Sequence, residues 1–284
     1  MSQPKAIFGA ALLGMSFNDV NAVDDVLDTL SRYGANHIDT APRYPPFERG
    51  TSERLLGNAN AEAKGFSIDS KVLATPGGAG ELEPENVKIS ISDTLARLKS
   101  TQLGVVGFQP DQLQDFLEVA RINNRIRPTV YQGEYNNLTR GMEEKILPLL
   151  RAQGISYYAH CPLAAGFLTG NFTHGKYAGT RYATDHPLHH VFHERYDNEA
   201  LHQALLEIEN AGVEHGIPVH EVALRWIFHH SSLEKEDGVI TGCTNLQQIK
   251  ENGELIRRGP LPEDVVEIVG KVWRSLKAER GELL

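Results

Sequence analysis

The sequence is short of cysteine and of long apolar runs, and each shortage excludes a class of protein. Its 284 residues include two cysteines, too few for a disulfide framework and without the spacing of a metal or redox site. No apolar run approaches the roughly 20 residues that cross a bilayer. The first residues, Met1 to Pro4, lack the charged and apolar regions of a signal peptide. We therefore expect a cytoplasmic protein with no membrane partner.

Clustered positive charge is missing as well. The formal net charge is -9, and the sequence contains no long run of Lys or Arg. Phosphate backbones are bound by clustered positive side chains. A nucleic-acid partner is therefore not expected.

The residues that are present indicate one globular α/β domain over residues 1–284. Hydrophobic residues make up 40% of the chain and charged residues 23%, as in an ordinary folded domain with ample core. Short β-branched runs alternate with longer amphipathic segments, which predicts parallel strands covered by helices. The candidate strands are Ala6–Leu13, His37–Thr40, Ser67–Val72, Leu103–Phe108, Pro128–Tyr131, Ser156–Ala159 and Gly238–Thr241.

Helices are predicted between these strands from their amphipathic pattern and their capping residues. The candidates are Asp19–Arg32, Pro84–Leu98, Asp111–Asn123, Glu143–Gln153, Asn198–His215, Val219–His229, Asn245–Gly253 and Pro262–Glu282. The stretch from Phe167 to Asp197 breaks the alternation. We interpret it as a long functional loop at the mouth of the sheet that would cover a ligand.

Three residues near the ends of consecutive candidate strands have the chemistry that carbonyl reduction requires. A tyrosine with an ordinary pKa near 10 is a reluctant acid at neutral pH. A cation nearby stabilises the phenolate left after proton donation, and a carboxylate holds that cation in place. Tyr44 would be the acid, Lys71 the cation and Asp39 the carboxylate. The alternative is structural, with a turn aspartate, a loop aromatic and an exposed lysine.

Several motifs together resemble the aldo-keto reductase superfamily, and most closely its aflatoxin-aldehyde reductase type. The resemblance implies a (β/α)8 TIM-type barrel that reduces a small-molecule aldehyde or ketone with NADPH, and it leaves a homodimer open. The motifs are Asp39-Thr-Ala-x-x-Tyr44, Ser52-Glu53-x-Leu-Leu-Gly57, Lys71 at the end of the third candidate strand, and the stretches Pro128–Asn136, Tyr158–Gly170 and Gly242–Asn252.

The same resemblance implies the cofactor contacts. Gln132 would contact the nicotinamide amide, and His160 takes the place of an aromatic ring that stacks on the nicotinamide. The turn after the sixth candidate strand would bind the pyrophosphate through backbone N–H groups. Its residues are Leu163, Gly166, Leu168 and Gly170, and the adenosine contacts would be Thr244, Asn245, Gln248 and Asn252. The partner of the 2′-phosphate stays open among Lys250, Arg257 and Arg258.

The sequence departs from the family where the catalytic histidine should stand. No histidine occurs between His37 and His160. The helix ending at Leu98 joins the candidate strand at Leu103 almost directly, so one β/α unit, strand 4 with helix 4, is predicted to be missing. Val106 and Gly107 also replace the family's serine and its asparagine contact to the nicotinamide.

These departures leave three functional hypotheses. The first is a reductase with impaired catalysis. The second is a non-catalytic barrel, either a pseudoenzyme or a truncated gene model, that binds cofactor or a partner. The third is altered chemistry, such as isomerisation, that uses the Tyr44–Lys71 pair without hydride. A metal site is not expected, although a group of histidines has helical spacing, namely His186, His189, His190 and His193.

Overall fold

The computed structural model describes residues 3–72, 83–99, 117–118, 121–122 and 128–281, and these pack as two compact units. Unit 2 takes the described residues between Lys5 and Tyr131 and between Ile240 and Glu254. Unit 1 takes the rest.

Each unit contains parallel β-structure, as the sequence predicts for an α/β fold. Unit 2 contains β3, β2, β1 and residues 240–242 of β6, in that order. Unit 1 contains residues 238–239 of β6, then β5, then residues 132–134 of β4. The strands are β1 (Lys5–Gly9), β2 (His37–Asp39), β3 (Ser67–Asp69), β4 (Val130–Glu134), β5 (Ser156–His160) and β6 (Gly238–Gly242).

Helices follow most of these strands. Those of unit 2 are α1 (Val20–Arg32), α2 (Thr51–Asn58) and α3 (Pro84–Leu98), together with most of α9 (Leu246–Arg257). Those of unit 1 are α4 (Met142–Lys145), α5 (Leu147–Gln153), α6 (His189–Tyr196), α7 (Glu199–Val213), α8 (Val219–His229) and α10 (Glu263–Arg280), with a 3-10 helix at Ala164–Thr169. None of the helices among the described residues is long and apolar enough to cross a membrane.

The core of unit 2 lies between α1 and one face of the strands. The carboxylate of Asp19 caps α1 by accepting a hydrogen bond from the Ala22 N–H at 2.9 Å. Buried α1 residues such as Val23 and Leu27 pack in one cluster with Ile38 and Ile68 of the strands. Side chains alternate across a strand, so the residues that follow these two isoleucines point to the opposite face. That face carries the polar groups described below.

The core of unit 1 is built on aromatic side chains. Tyr135, just after β4, makes edge-to-face contacts with Tyr157 of β5 and Trp226 of α8, at centroid distances of 6.3 and 5.8 Å. The Arg140 guanidinium lies 4.7 Å from the Trp226 ring centroid. These contacts fix β4 and β5 against α8.

Six of the seven candidate strands overlap a strand of the structure, several with shifted ends. β1 ends at Gly9 rather than at Leu13, because hydrogen-bonded turns begin at Ala10. The candidate Leu103–Phe108 and the predicted loss of strand 4 and helix 4 fall outside the described residues. The loss therefore stays a prediction. The helix candidate Asp111–Asn123 also falls mostly outside, with residues 117–118 and 121–122 helical.

The helices of the structure differ from the predicted ones in three places. α2 was not predicted from the sequence. The candidate Glu143–Gln153 is two short helices, α4 and α5, because Pro148 at the start of α5 has no N–H to continue the first. The predicted loop Phe167–Asp197 contains α6.

Aromatic packing explains why the stretch from Phe167 to Asp197 is ordered. The rings of Phe172 and Tyr182 stack at a centroid distance of 4.0 Å, and those of Phe167 and Tyr196 stack at 5.6 Å. All four side chains are buried. The aromatic residues that broke the sequence alternation therefore form a small core of their own.

Candidate active site

Lys71 and Asp39 form a buried ion pair in unit 2. The Lys71 ammonium donates to Asp39 Oδ1 at 2.5 Å and to the Thr40 carbonyl oxygen at 2.8 Å. The two side chains are only 15% and 5% exposed. A charge pair screened from water in this way interacts more strongly than a surface pair. The ammonium is thus held at the carboxyl end of β2.

Tyr44 lies beside this pair. The Lys71 ammonium is 5.5 Å from the centroid of the Tyr44 ring. A turn after β2 places the tyrosine, with its N–H donating to the Ala41 carbonyl at 3.0 Å and its carbonyl accepting from the Ser52 N–H at 3.2 Å. The Tyr44–Pro45 peptide bond is cis. The structure therefore brings together the three residues that the sequence singled out, and their catalytic roles stay a prediction.

The start of α2 braces the strand ends around these residues. The Ser52 hydroxyl donates to the Ala10 carbonyl oxygen at 2.9 Å and lies 2.9 Å from the Thr40 hydroxyl. Ser52 and Thr40 are fully buried. One serine thus ties together the chain leaving β1 and the chain leaving β2.

Glu53, the next residue of α2, braces the residue before Lys71. Its Oε1 accepts from the Ser70 hydroxyl at 2.6 Å, and its Oε2 accepts from Arg97 Nε of α3 at 2.6 Å. Glu53 is fully buried. The Ser52-Glu53 motif therefore positions the site without supplying a reacting group.

Asp69 is a titratable residue beside this cluster that the sequence reasoning missed. It is the register partner of Asp39 in the parallel β2–β3 pair. Burial, and then the nearby charge of Asp39, raise the pKa of Asp69 from 3.8 to about 6, against the lowering effects of Lys71 and Lys5. A signal was available: His37-Ile38-Asp39 and Ser67-Ile68-Asp69 share a polar–isoleucine–aspartate pattern.

The predicted nicotinamide and pyrophosphate residues lie in unit 1. Gln132 is buried on β4, and His160 ends β5. The following turn bends sharply, with positive φ angles at Ala164, Ala165 and Gly166. A Cβ at Gly166 would meet nothing within 4 Å, so this backbone is open to an approaching group.

Several N–H groups of this turn are already used within the turn. The Gly166 and Leu168 N–H groups donate to the Leu163 carbonyl at 2.9 and 3.1 Å, and that of Gly170 donates to the Phe167 carbonyl at 3.0 Å. A phosphate bound here would compete with these bonds or use other donors. The turn is therefore well ordered by its own bonds.

The predicted adenosine residues form the entry to α9. Asn245 Oδ1 accepts from the Gln248 N–H at 2.9 Å, and Gln248 Oε1 accepts from the Thr244 N–H at 2.8 Å. Asn252 donates to the Cys243 sulfur at 3.3 Å. The Asn245 and Gln248 side chains thus cap the start of α9, and Thr244, Asn245 and Gln248 are exposed.

The histidines with helical spacing bond to protein groups. His193 contacts the Tyr182 carbonyl oxygen and an Asp197 carboxylate oxygen, each at 3.1 Å. His189 contacts the His186 carbonyl oxygen at 3.1 Å. No group of three or more His, Cys, Asp or Glu side chains in the described part of the chain could hold a metal ion.

A lysine held by an aspartate against a tyrosine, at the carboxyl ends of parallel strands, is an arrangement suited to moving a proton at a substrate oxygen. The model of the aldo/keto reductase family matches residues 5–119 and 99–274 of this chain. The chain therefore belongs to the aldo/keto reductase family.

Three relatives illustrate the similarity. An aldo-keto reductase of Pseudocercospora fijiensis is 28% identical, over 89% of this chain and 97% of its own. The aldo-keto reductase pigE of Monascus ruber is 26% identical over 97% and 95%. Aflatoxin B1 aldehyde reductase member 2 of Rattus norvegicus is 27% identical over 98% and 86%. The predicted resemblance to the aflatoxin-aldehyde reductase type is confirmed.

The alignments with these relatives have more positions than this chain has residues. The alignment with the Monascus ruber protein has 331 positions, which exceeds the 284 residues of this chain by 47. At least that many residues of the relative have no counterpart here. A missing β/α unit would contribute to this difference, and its location after Leu98 stays a prediction.

Proposed function

We propose that this protein reduces an aldehyde or ketone to an alcohol with NADPH. One observation carries the proposal: the Lys71 ammonium is held by Asp39 Oδ1 and the Thr40 carbonyl, 5.5 Å from the Tyr44 ring centroid. Membership of the aldo/keto reductase family supports carbonyl reduction in general.

Tyr44 would act as the general acid. Negative charge develops on the carbonyl oxygen during reduction, and the Tyr44 hydroxyl proton passes to that oxygen. The phenolate that remains is stabilised by the Lys71 ammonium, and Asp39 keeps the ammonium in place. Water then returns a proton to Tyr44 after the alcohol leaves.

The cofactor, when bound, supplies the hydride. In unit 1, Gln132 and His160 would orient the nicotinamide, and the Leu163–Gly170 turn, open at Gly166, would receive phosphate. In unit 2, the exposed groups at the start of α9 would contact the adenosine end, with Lys250, Arg257 or Arg258 near the 2′-phosphate. The preference for NADP over NAD rests on the family.

Catalysis would be impaired relative to a complete member of the family. The sequence has no histidine between His37 and His160 to aim a second donor at the developing oxyanion. Loss of one such donor typically costs about 10²- to 10³-fold in rate. Val106 and Gly107, outside the described residues, would also hold the nicotinamide less firmly.

The test is NADPH oxidation with a nitrobenzaldehyde, comparing the chain, Tyr44→Phe, and a form with a family-type strand and helix inserted between Lys99 and Leu103. We expect weak turnover from the chain, loss of it in Tyr44→Phe, and a large gain in the restored form. Turnover that survives in Tyr44→Phe would contradict the proposed acid.

A second candidate function is a non-catalytic barrel that binds cofactor or a partner, favoured by the absent histidine. Fluorescence titration of the purified protein with NADPH separates the two proposals. Binding without turnover in the chain, and also in the restored form, would favour the second. Consumption of a carbonyl compound without NADPH oxidation would favour altered chemistry at the Tyr44–Lys71 pair.

A further inference from the structure

Asp69 has no part in the proposed mechanism, yet the fold places it at the catalytic lysine. Asp39 and Asp69 are partners in the register of β2 and β3, and partners in a parallel sheet point to the same face. That face is the one opposite the buried Ile38 and Ile68. Lys71 follows Asp69 by two residues, and its ammonium returns to Asp39. Two carboxylates therefore share the surroundings of one ammonium.

The two carboxylates are satisfied to different extents. Asp39 Oδ1 accepts from Lys71 at 2.5 Å, whereas Asp69 Oδ2 is buried without a hydrogen-bond partner in the described structure. A buried carboxylate oxygen without a donor disfavours the charged form. The surroundings of Asp69 thus favour its protonated form.

The charged groups around Asp69 come from each neighbouring strand. β1 contributes Lys5, β2 contributes His37 and Asp39, and the chain after β3 contributes Lys71. Burial, and then the charge of Lys5, lower the pKa of His37, so this imidazole is neutral at pH 7. Asp69 is a group on this face that changes charge near pH 6.

We propose that Asp69 is a positioning residue that controls how much of the Lys71 charge is available to Tyr44. When Asp69 is ionised, the ammonium faces two carboxylates and stabilises a Tyr44 phenolate less. When Asp69 is protonated, Asp39 alone opposes the ammonium, and proton donation from Tyr44 is easier. The catalytic part of this inference rests on the proposed function, whereas the charge coupling does not.

Charge coupling is tested without any turnover. The titration of the Asp69 carboxyl is followed by ¹³C NMR, assigned with Asp69→Asn, in the unmodified protein and in Lys71→Met and Asp39→Asn. We expect Lys71→Met to raise the Asp69 pKa and Asp39→Asn to lower it, each by about half a unit or more. Asp28→Asn, an exposed carboxyl on α1, is the matched control and should leave it unchanged. An Asp69 titration that neither variant moves would overturn the proposal, and amide spectra establish that each variant is folded.

The catalytic consequence is tested by the pH dependence of kcat/KM. We expect the rate of reduction to rise about three- to tenfold as pH falls from 7.5 to 5, with the midpoint near the Asp69 titration. Asp69→Asn should stay at the low-pH value across this range. Turnover with the same pH profile in Asp69→Asn would overturn the catalytic role. If the Asp69 pKa shifts in Lys71→Met and Asp39→Asn but no variant reduces the aldehyde, the reductase function is rejected and the charge coupling is retained.

Discussion

Glu53 and Asp69 are two acids of unit 2 whose carboxylates differ in their hydrogen-bond partners. Glu53 is fully buried, and each of its carboxylate oxygens accepts a hydrogen bond at 2.6 Å. Asp69 has a buried oxygen with no partner in the described structure and a pKa raised to about 6. The two acids thus differ in the hydrogen-bond donors around them, because both oxygens of Glu53 have a donor and one oxygen of Asp69 has none.

The same contrast separates the two kinds of residue around Lys71. Ser52 and Glu53 are hydrogen-bonded to the chain that leaves the strands, so we expect them to contribute to the stability of the fold. Asp39 and Lys71 form an ion pair beside Tyr44, and we expect these three residues to affect proton transfer. Substitutions in the two groups should therefore have different effects, on stability in the first and on rate in the second.

The largest expected effect is on the rate in Tyr44→Phe. The substitution removes the acid but keeps a ring beside Lys71, so kcat/KM for NADPH-dependent aldehyde reduction should fall by about 10²- to 10⁴-fold with little loss of stability. Tyr33→Phe is the matched control, because the Tyr33 hydroxyl bonds Glu254 at 3.2 Å on α9. Equal losses in the two variants would remove Tyr44 from the mechanism.

Next is a loss of stability in Glu53→Gln. The change leaves Arg97 without its carboxylate partner, and breaking such a buried pair should lower the free energy of unfolding by roughly 3 kcal/mol. Chemical denaturation measures it. Glu85→Gln is the control, because the Glu85–Lys88 pair is exposed at 76% and 73% and should contribute less than about 1 kcal/mol. Similar values for both variants would contradict the structural role of Glu53.

Asp69→Asn should raise the free energy of unfolding at neutral pH, the opposite of Glu53→Gln. Because the folded-state pKa of Asp69 is raised from 3.8 to about 6, the folded protein binds the proton more tightly, and stability falls as pH rises from about 4 to 6. At pH 7 the amide should therefore increase the free energy of unfolding, by about 3 kcal/mol at most. Denaturation curves at pH 4 and pH 7 check this. A gain that is the same at both pH values would show that ionisation is not its cause.

The smallest effect concerns Asn245, which caps α9. Asn245→Ala should lower the free energy of unfolding by about 1 kcal/mol. Asn198→Ala is the matched control, because Asn198 caps α7 by accepting from the Ala200 N–H at 2.8 Å. If Asn245 also contacts the cofactor, only Asn245→Ala should weaken NADPH binding in a fluorescence titration. Equal binding by both variants would restrict Asn245 to capping.

The sequence predicted those parts of the fold that repeat a regular pattern. α1 and α8 were located within a residue or two, because their apolar spacing is a strong local signal and Asp19 caps α1. Asp39, Tyr44 and Lys71 were predicted to lie together because strand ends gather at one edge of a parallel sheet, and the structure brings them together. Local pattern and chemistry pointed to the same residues in these cases.

The parts that the sequence did not predict depend on contacts distant in the chain. α2 has eight residues and contains Gly57, so its local helical signal is weak, and its place comes from packing on α3. The 167–197 stretch is held by ring stacking that no periodicity reveals. Asp69 became significant only through its register with Asp39, which requires pairing the strands first.

The contact between α2 and α3 separates the chain that holds Lys71 from the chain after Leu98, where the length is expected to differ from the relatives. At Gly57 a side chain has no room, because a Cβ there would lie 2.1 Å from the Arg97 carbonyl oxygen. Arg97 in turn holds Glu53, which holds Ser70, the residue before Lys71. These residues, all before Leu98, thus brace the chain that leads to Lys71. We expect insertions and deletions after Leu98 to leave Asp39, Tyr44 and Lys71 in their places.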